Sequence, residues 1–107
     1  MNAEFPEVRH LTNLIAAGWR FLPVHDCGEL VEIRGVRTWP SSGSADALTV
    51  RYATDAAGLR VDHTGGLVWQ HEGGLVEVID RLLALPPPDA PNAPRLVKAT
   101  GPRLWTP

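Results

Sequence analysis

Cysteine and lysine are nearly missing from this chain. Its 107 residues hold one of each, Cys27 and Lys98. A single cysteine excludes an internal disulfide and any zinc site built from several thiolates. It also suits a reducing compartment, so the expected setting is the cytoplasm. Long apolar runs are missing too. Nothing approaches the roughly 20 residues needed to cross a bilayer. The first seven residues carry two acids and a proline and no apolar stretch, so no signal peptide or membrane contact is expected. A surplus of positive charge is lacking as well: the formal charge is −2 and the pI about 6.0, which argues against nucleic acid as the partner.

What is present fits one domain. Hydrophobic residues make up 44% and charged residues 21%, the balance of a globular chain and not of a disordered one. Nine arginines stand against the one lysine. Arginine bonds planar anions bidentately where lysine cannot, although a GC-rich coding bias produces the same count.

The periodicity predicts a helix from about Pro6 to Ala17, with Pro6 in its first turn and Gly18 as its stop. Val8, Leu11, Leu14 and Ile15 form its apolar stripe. A short strand, Trp19 to Val24, follows, and Pro23 marks it as an edge strand or a strand end. Asp26-Cys27-Gly28 reads as a turn. Four alternating segments come next, Leu30–Trp39, Ala47–Ala53, Leu59–His63 and Leu67–His71. Gly35 breaks the alternation of the first and suggests a bulge, after which Val36 and Thr38 would turn inward and Arg37 and Trp39 outward. In the last hairpin a three-residue loop, Thr64 to Gly66, would pair Val61 with Trp69 and Leu59 with His71. A second helix runs from Gly74 to Leu85. Leu75, Val78, Ile79, Leu82 and Leu83 give it a full apolar stripe, and Pro86-Pro87-Pro88 ends it. Seven of the last 22 residues are proline, so the tail should be extended.

The expected fold is therefore α+β: an antiparallel meander of four to five strands, with an N-terminal and a C-terminal helix packed on one face and a proline-rich tail. The domain should span 1–86 and the tail 87–107.

No catalytic motif is complete. His25, Asp26 and Cys27 are consecutive, and in extended chain His25 and Cys27 share a side. With His63 they make the candidate set for a small enzyme or ligand-binding pocket between sheet and helices. The competing reading is a strand end whose cysteine is a small hydrophobe. His63 and His71 fall too far apart along the strands to share one metal ion, and neither a metal nor a cofactor is expected. Gly73-Gly74 precedes a helix but lacks the residues of a phosphate loop, and Glu72 stands beside it.

The fuller constellation is the outer face of the meander. The alternation assigns it Glu32, Arg34, Arg37, Thr49, Arg51, Arg60, Asp62, Val68 and Gln70, with Trp39 at its rim. Arg34, Arg37, Arg51 and Arg60 could grip carboxylates, and Trp39 and Trp105 could anchor a partner. One platform aromatic is too few for single-stranded nucleic acid. The expected function is non-catalytic protein binding, to a partner with an acidic surface or to a second copy of the chain. The competing reading is a solvated face on which the arginines pair with Asp and Glu.

In the stretches Val36-Arg37-Thr38-Trp39-Pro40 and Glu77-Val78-Ile79-Asp80-Arg81-Leu82-Leu83-Ala84-Leu85-Pro86 the chain resembles small proteins of GC-rich actinobacteria, a resemblance that implies no activity. A helix-flanked antiparallel meander is also similar to small immunity proteins and chaperones that sequester a partner, a likeness of architecture alone.

Overall fold

The computed structural model describes residues 6–100, with side chains described for residues 9–98. Its elements are α1 (Pro6–Ala16), β1 (Arg20–Asp26), β2 (Glu29–Trp39), β3 (Ser44–Tyr52), β4 (Asp55–Val61), β5 (Gly66–Gly73), α2 (Leu75–Ala84) and β6 (Ala99–Thr100). The strands form one sheet in chain order, every neighbouring pair antiparallel. Both helices lie on one side of it, as the alternating meander requires. Among the described residues no helix is long and apolar enough to cross a membrane.

The main core lies between sheet and helices. Leu14 and Trp19 meet Leu48, Val50 and Ala56 of the sheet and Leu75, Val78, Ile79 and Leu82 of α2. The α2 stripe is thus used as its spacing implies, except that Leu83 stays exposed. Ile15, expected in the stripe of α1, also faces solvent. It follows Leu14 by one position, about 100° around the helix, and only Leu14 points at the sheet. Gly58 lets α2 settle closely: a Cβ there would stand 3.0 Å from Val78 Cγ1 and 3.2 Å from Leu82 Cδ1.

Two expectations about strand geometry need correcting. Gly35 makes no bulge. The β2–β3 register runs unbroken from Ile33 opposite Val50 to Trp39 opposite Ser44. The glycine instead makes room for Phe21 of β1, whose ring would lie 2.5 Å from a Cβ at that position. Alternation therefore continues through it, and Ile33, Gly35, Arg37 and Trp39 all face the helices.

The β4–β5 hairpin is also different. Its partners are Leu59 with Gln70, Arg60 with Trp69 and Val61 with Leu67, so the register shifts at Arg60/Val61 and Val68 is the extra residue. The connection is four residues, 62–65, with Gly65 at φ +81°. The Asp62 carboxylate organises it by accepting from the backbone N–H groups of Thr64 and Gly66 and from the Thr64 hydroxyl. These bonds, the Thr64 hydroxyl first, hold the Asp62 carboxyl below its ordinary value of 3.8 against a smaller opposing effect of desolvation.

Pairing with β3 reverses the expected facing of β4, with Leu59 opposite Ala47, Arg60 opposite Asp46 and Val61 opposite Ala45. Leu59 and Val61 turn away from the helices, where they cluster with Ala45 and Leu67. Ala45, Ala47, Val61 and Leu67 are all buried, so the centre of the helix-free face is apolar and not a wet polar surface. The start of the proline-rich segment is laid against the domain. Ala93 is buried, and the N–H of Lys98 reaches the carbonyl of Leu67 at 2.7 Å, leading into β6.

Candidate functional site

The four candidate arginines do not share a surface. Alternation carried on through Gly35 puts Arg37 and Trp39 on the helix side. Pairing with Asp46 puts Arg60 there too. Only Arg34 and Arg51 remain on the helix-free face. Trp105 lies outside the described residues.

Arg60 is 1% exposed, and Asp46 beside it is equally buried. Its Nε donates to Asp46 Oδ1 at 2.5 Å and its Nη2 to Oδ2 at 3.0 Å, a bidentate pair. Its Nη1 donates to the Pro86 carbonyl at 2.5 Å, just where the chain leaves α2. Trp39 Nε1 gives Asp46 Oδ2 a further bond at 3.0 Å. The Arg37 guanidinium lies 3.9 Å from the centroid of the Trp39 ring. Three of the six proposed contact residues thus belong to an internal network that ties β2, β3 and β4 to the end of α2. The sequence reading missed Asp46, and one signal could have found it: Asp46 shares its parity with Leu48 and Val50, which places a carboxylate in line with core residues.

The candidate enzyme set does not assemble either. His25 and Cys27 are at the β1–β2 turn, where Cys27 (φ +52°) and Gly28 (φ +83°) make the tight left-handed link of a two-residue hairpin. His63 is in the β4–β5 connection, at the opposite end of the sheet. Both histidines and the cysteine are exposed. Two other histidines pair with α2. His10 Nε2 stands 3.0 Å from Asp80 Oδ1, and His71 Nε2 stands 2.5 Å from Glu77 Oε2. No cluster of three or more His, Cys, Asp or Glu able to hold a metal ion occurs among the described residues.

A different surface stands out at the β1–β2 end of the sheet. Leu22 (66% exposed), Leu30, Val31 and Tyr52 (70% exposed) are large apolar side chains left in water there. The register accounts for their grouping. Leu22 pairs with Arg34, Val24 with Glu32 and His25 with Leu30. The β2–β3 pairing ends at Ile33 opposite Val50, and the ladders on either side shift just beyond it, between Val24 and His25 and between Val50 and Tyr52. Leu22, opposite Arg34, falls on the helix-free face, and so does Tyr52, opposite Asp55, because Arg51 is the extra residue at the shift in β3. Glu32 draws both cations of that region: it pairs with Arg34 Nε, and Arg51 Nε lies 4.0 Å from its second oxygen. Arg51 is the more exposed of the two. β1 is the free edge of the sheet, and Pro23 within it lacks an N–H, which blunts the edge against simple strand addition.

Comparison of the chain with protein-family models, with curated proteins and with solved structures finds no match.

Proposed function

We propose that this protein is a non-catalytic binding module. Its contact surface is the β1–β2 end of the sheet, and its partner is a protein segment that combines carboxylates with apolar side chains. The supporting observation is that Leu22, Leu30, Val31 and Tyr52 are all exposed at this end of the sheet, where the mostly exposed Arg51 lies beside Glu32. Single exposed hydrophobes are ordinary on a protein surface. Four together at one end, rimmed by charge, are what an interaction site looks like. Arg51 supplies the directional element, since a mostly exposed guanidinium can take a carboxylate bidentately. The unpaired Cys27 is compatible with a cytoplasmic setting.

The test is peptide selection from a random display library against the folded protein. Enrichment of acidic–apolar peptides is expected. Their binding should be lost in Leu22→Ser and weakened at least tenfold in Arg51→Glu, and a Lys-for-Glu exchange in the peptide should restore binding to Arg51→Glu. Retained affinity in both variants, with the fold intact, would refute the surface. Sedimentation of the free protein covers self-association: a dimer abolished by Leu22→Ser would make the partner a second copy.

A further inference from the structure

At the opposite end of the sheet lies a cavity of about 250 Å³ that is independent of the surface just described. The residues of interest in its wall are Ser42, Ser44, Arg60, Asp62, His63 and Arg95. We infer that it is a binding site for a small carboxylate that also carries a hydroxyl or amino group, of the size of a hydroxy acid or amino acid.

Two buried side chains support this. A guanidinium has five N–H donors. Arg60 uses three, toward Asp46 and Pro86, and one N–H remains on each of Nη1 and Nη2. At 1% exposure these two have little access to bulk water, yet Arg60 lines the cavity. Ser44 is 7% exposed and also lines it. The Ser44 backbone N–H is held by the Ser42 hydroxyl at 3.4 Å, but the Ser44 hydroxyl itself has no partner among the described residues, and since no fully enclosed side-chain nitrogen or oxygen among them lacks one, this hydroxyl is open to solvent. Groups of this kind are normally satisfied by protein, ordered water or ligand. The cavity is far larger than the ~10–15 Å³ one water needs, and it approaches the size of small-ligand pockets.

The arrangement of donors selects the ligand. Arg60, the Ser44 hydroxyl and Arg95, which spends one Nη on the carbonyls of Asp89 and Ala90, offer N–H and O–H groups to an oxyanion. The charge of Arg60 is matched by Asp46, so the wall does not favour a doubly charged guest. Asp62 sharpens this. Its Oδ1 is taken by Thr64 and Gly66, whose bonds favour the carboxylate form, while its other oxygen has no partner among the described residues. That oxygen repels a dianion such as phosphate and accepts from a hydroxyl or ammonium. A carboxylate with one such donor satisfies both sides of the cavity.

The probe is glycolate, titrated at constant ionic strength and followed by amide chemical shifts, with inorganic phosphate as the comparison. Glycolate should give saturable shifts at residues 42–44, 62–68 and 95, with affinity in the millimolar range expected for so few atoms. Phosphate should bind at least tenfold more weakly. Ser44→Ala, which removes one hydroxyl, should weaken glycolate at least tenfold while the spectrum elsewhere is unchanged. Exposed Arg95→Ala should do the same without touching the core. Absence of saturable shifts up to about 50 mM, well beyond the millimolar range, would mean the cavity holds water alone and overturn the inference. Equal binding of phosphate, or unchanged binding in both variants, would overturn it as well.

Discussion

Removing the Asp46 carboxylate should be among the most damaging single changes available in this chain. It accepts from Arg60 Nε at 2.5 Å, Arg60 Nη2 at 3.0 Å and Trp39 Nε1 at 3.0 Å. Asp46→Ala deletes all three and leaves a guanidinium at 1% exposure with only the Pro86 carbonyl as acceptor. Exposed ion pairs contribute about 0–1 kcal/mol, whereas removing one partner of a buried pair costs about 3–5 kcal/mol. The burial of both residues puts this pair in the second class. In urea, with a slope of about 1.5 kcal/mol/M, a loss of about 4 kcal/mol lowers the midpoint by about 2.7 M. Because that approaches the whole stability of a small domain, the double variant Asp46→Leu/Arg60→Met provides the control. It replaces the pair with apolar volume and should recover most of the loss. A cost below about 1 kcal/mol for Asp46→Ala, or a double variant as unstable as the sum of the singles, would refute the reasoning.

Gly35→Ala should destabilise by about 1–3 kcal/mol, as overpacking does, because its Cβ would meet the Phe21 ring at 2.5 Å; thermal denaturation reads this, and an unchanged midpoint contradicts it. Ile79→Ala, at a fully buried position of α2, should cost about 2–5 kcal/mol through lost burial and the cavity left behind. Asp62 governs acid behaviour. Its folded-state carboxyl titrates below the unfolded value of 3.8, so its stabilising effect is complete above that pH and is lost as the pH falls through the folded value. The stability difference between wild type and Asp62→Asn should therefore be constant above about pH 4 and narrow below it. A difference that widens on acidification would reverse the sign of the account.

The helices and the meander were legible because each rests on a long regular pattern. Leu75, Val78, Ile79 and Leu82 repeat at helical spacing, and the Pro86 run stops them. The facing of individual strands was less legible, because it depends on single residues whose role is set by distant ones. Gly35 looks like a bulge in sequence, but Phe21, fourteen positions earlier, fills the space above it. The alternation of β4 suggests that Leu59 and Val61 face the helices, whereas the register on β3 turns them away, and the extra residue Val68 brings Leu67 of β5 to their side. Each of these changes parity, and a change of parity exchanges the two faces of a strand. That moved Arg37, Trp39 and Arg60 from an outer surface into an internal network. The candidate interface shifted with them, from the middle of the sheet to its β1–β2 end. Ser44 and Asp46 were hidden by the serine-rich stretch before them, which reads as loop although β3 already begins at Ser44.

The central claim is that the β1–β2 end of the sheet meets a partner. Amide chemical-shift mapping of the protein with a selected acidic–apolar peptide tests it directly. The account predicts perturbations concentrated at residues 22–34 and 50–52, with α1 and α2 unaffected. Perturbations centred on the outer surfaces of the helices would contradict it.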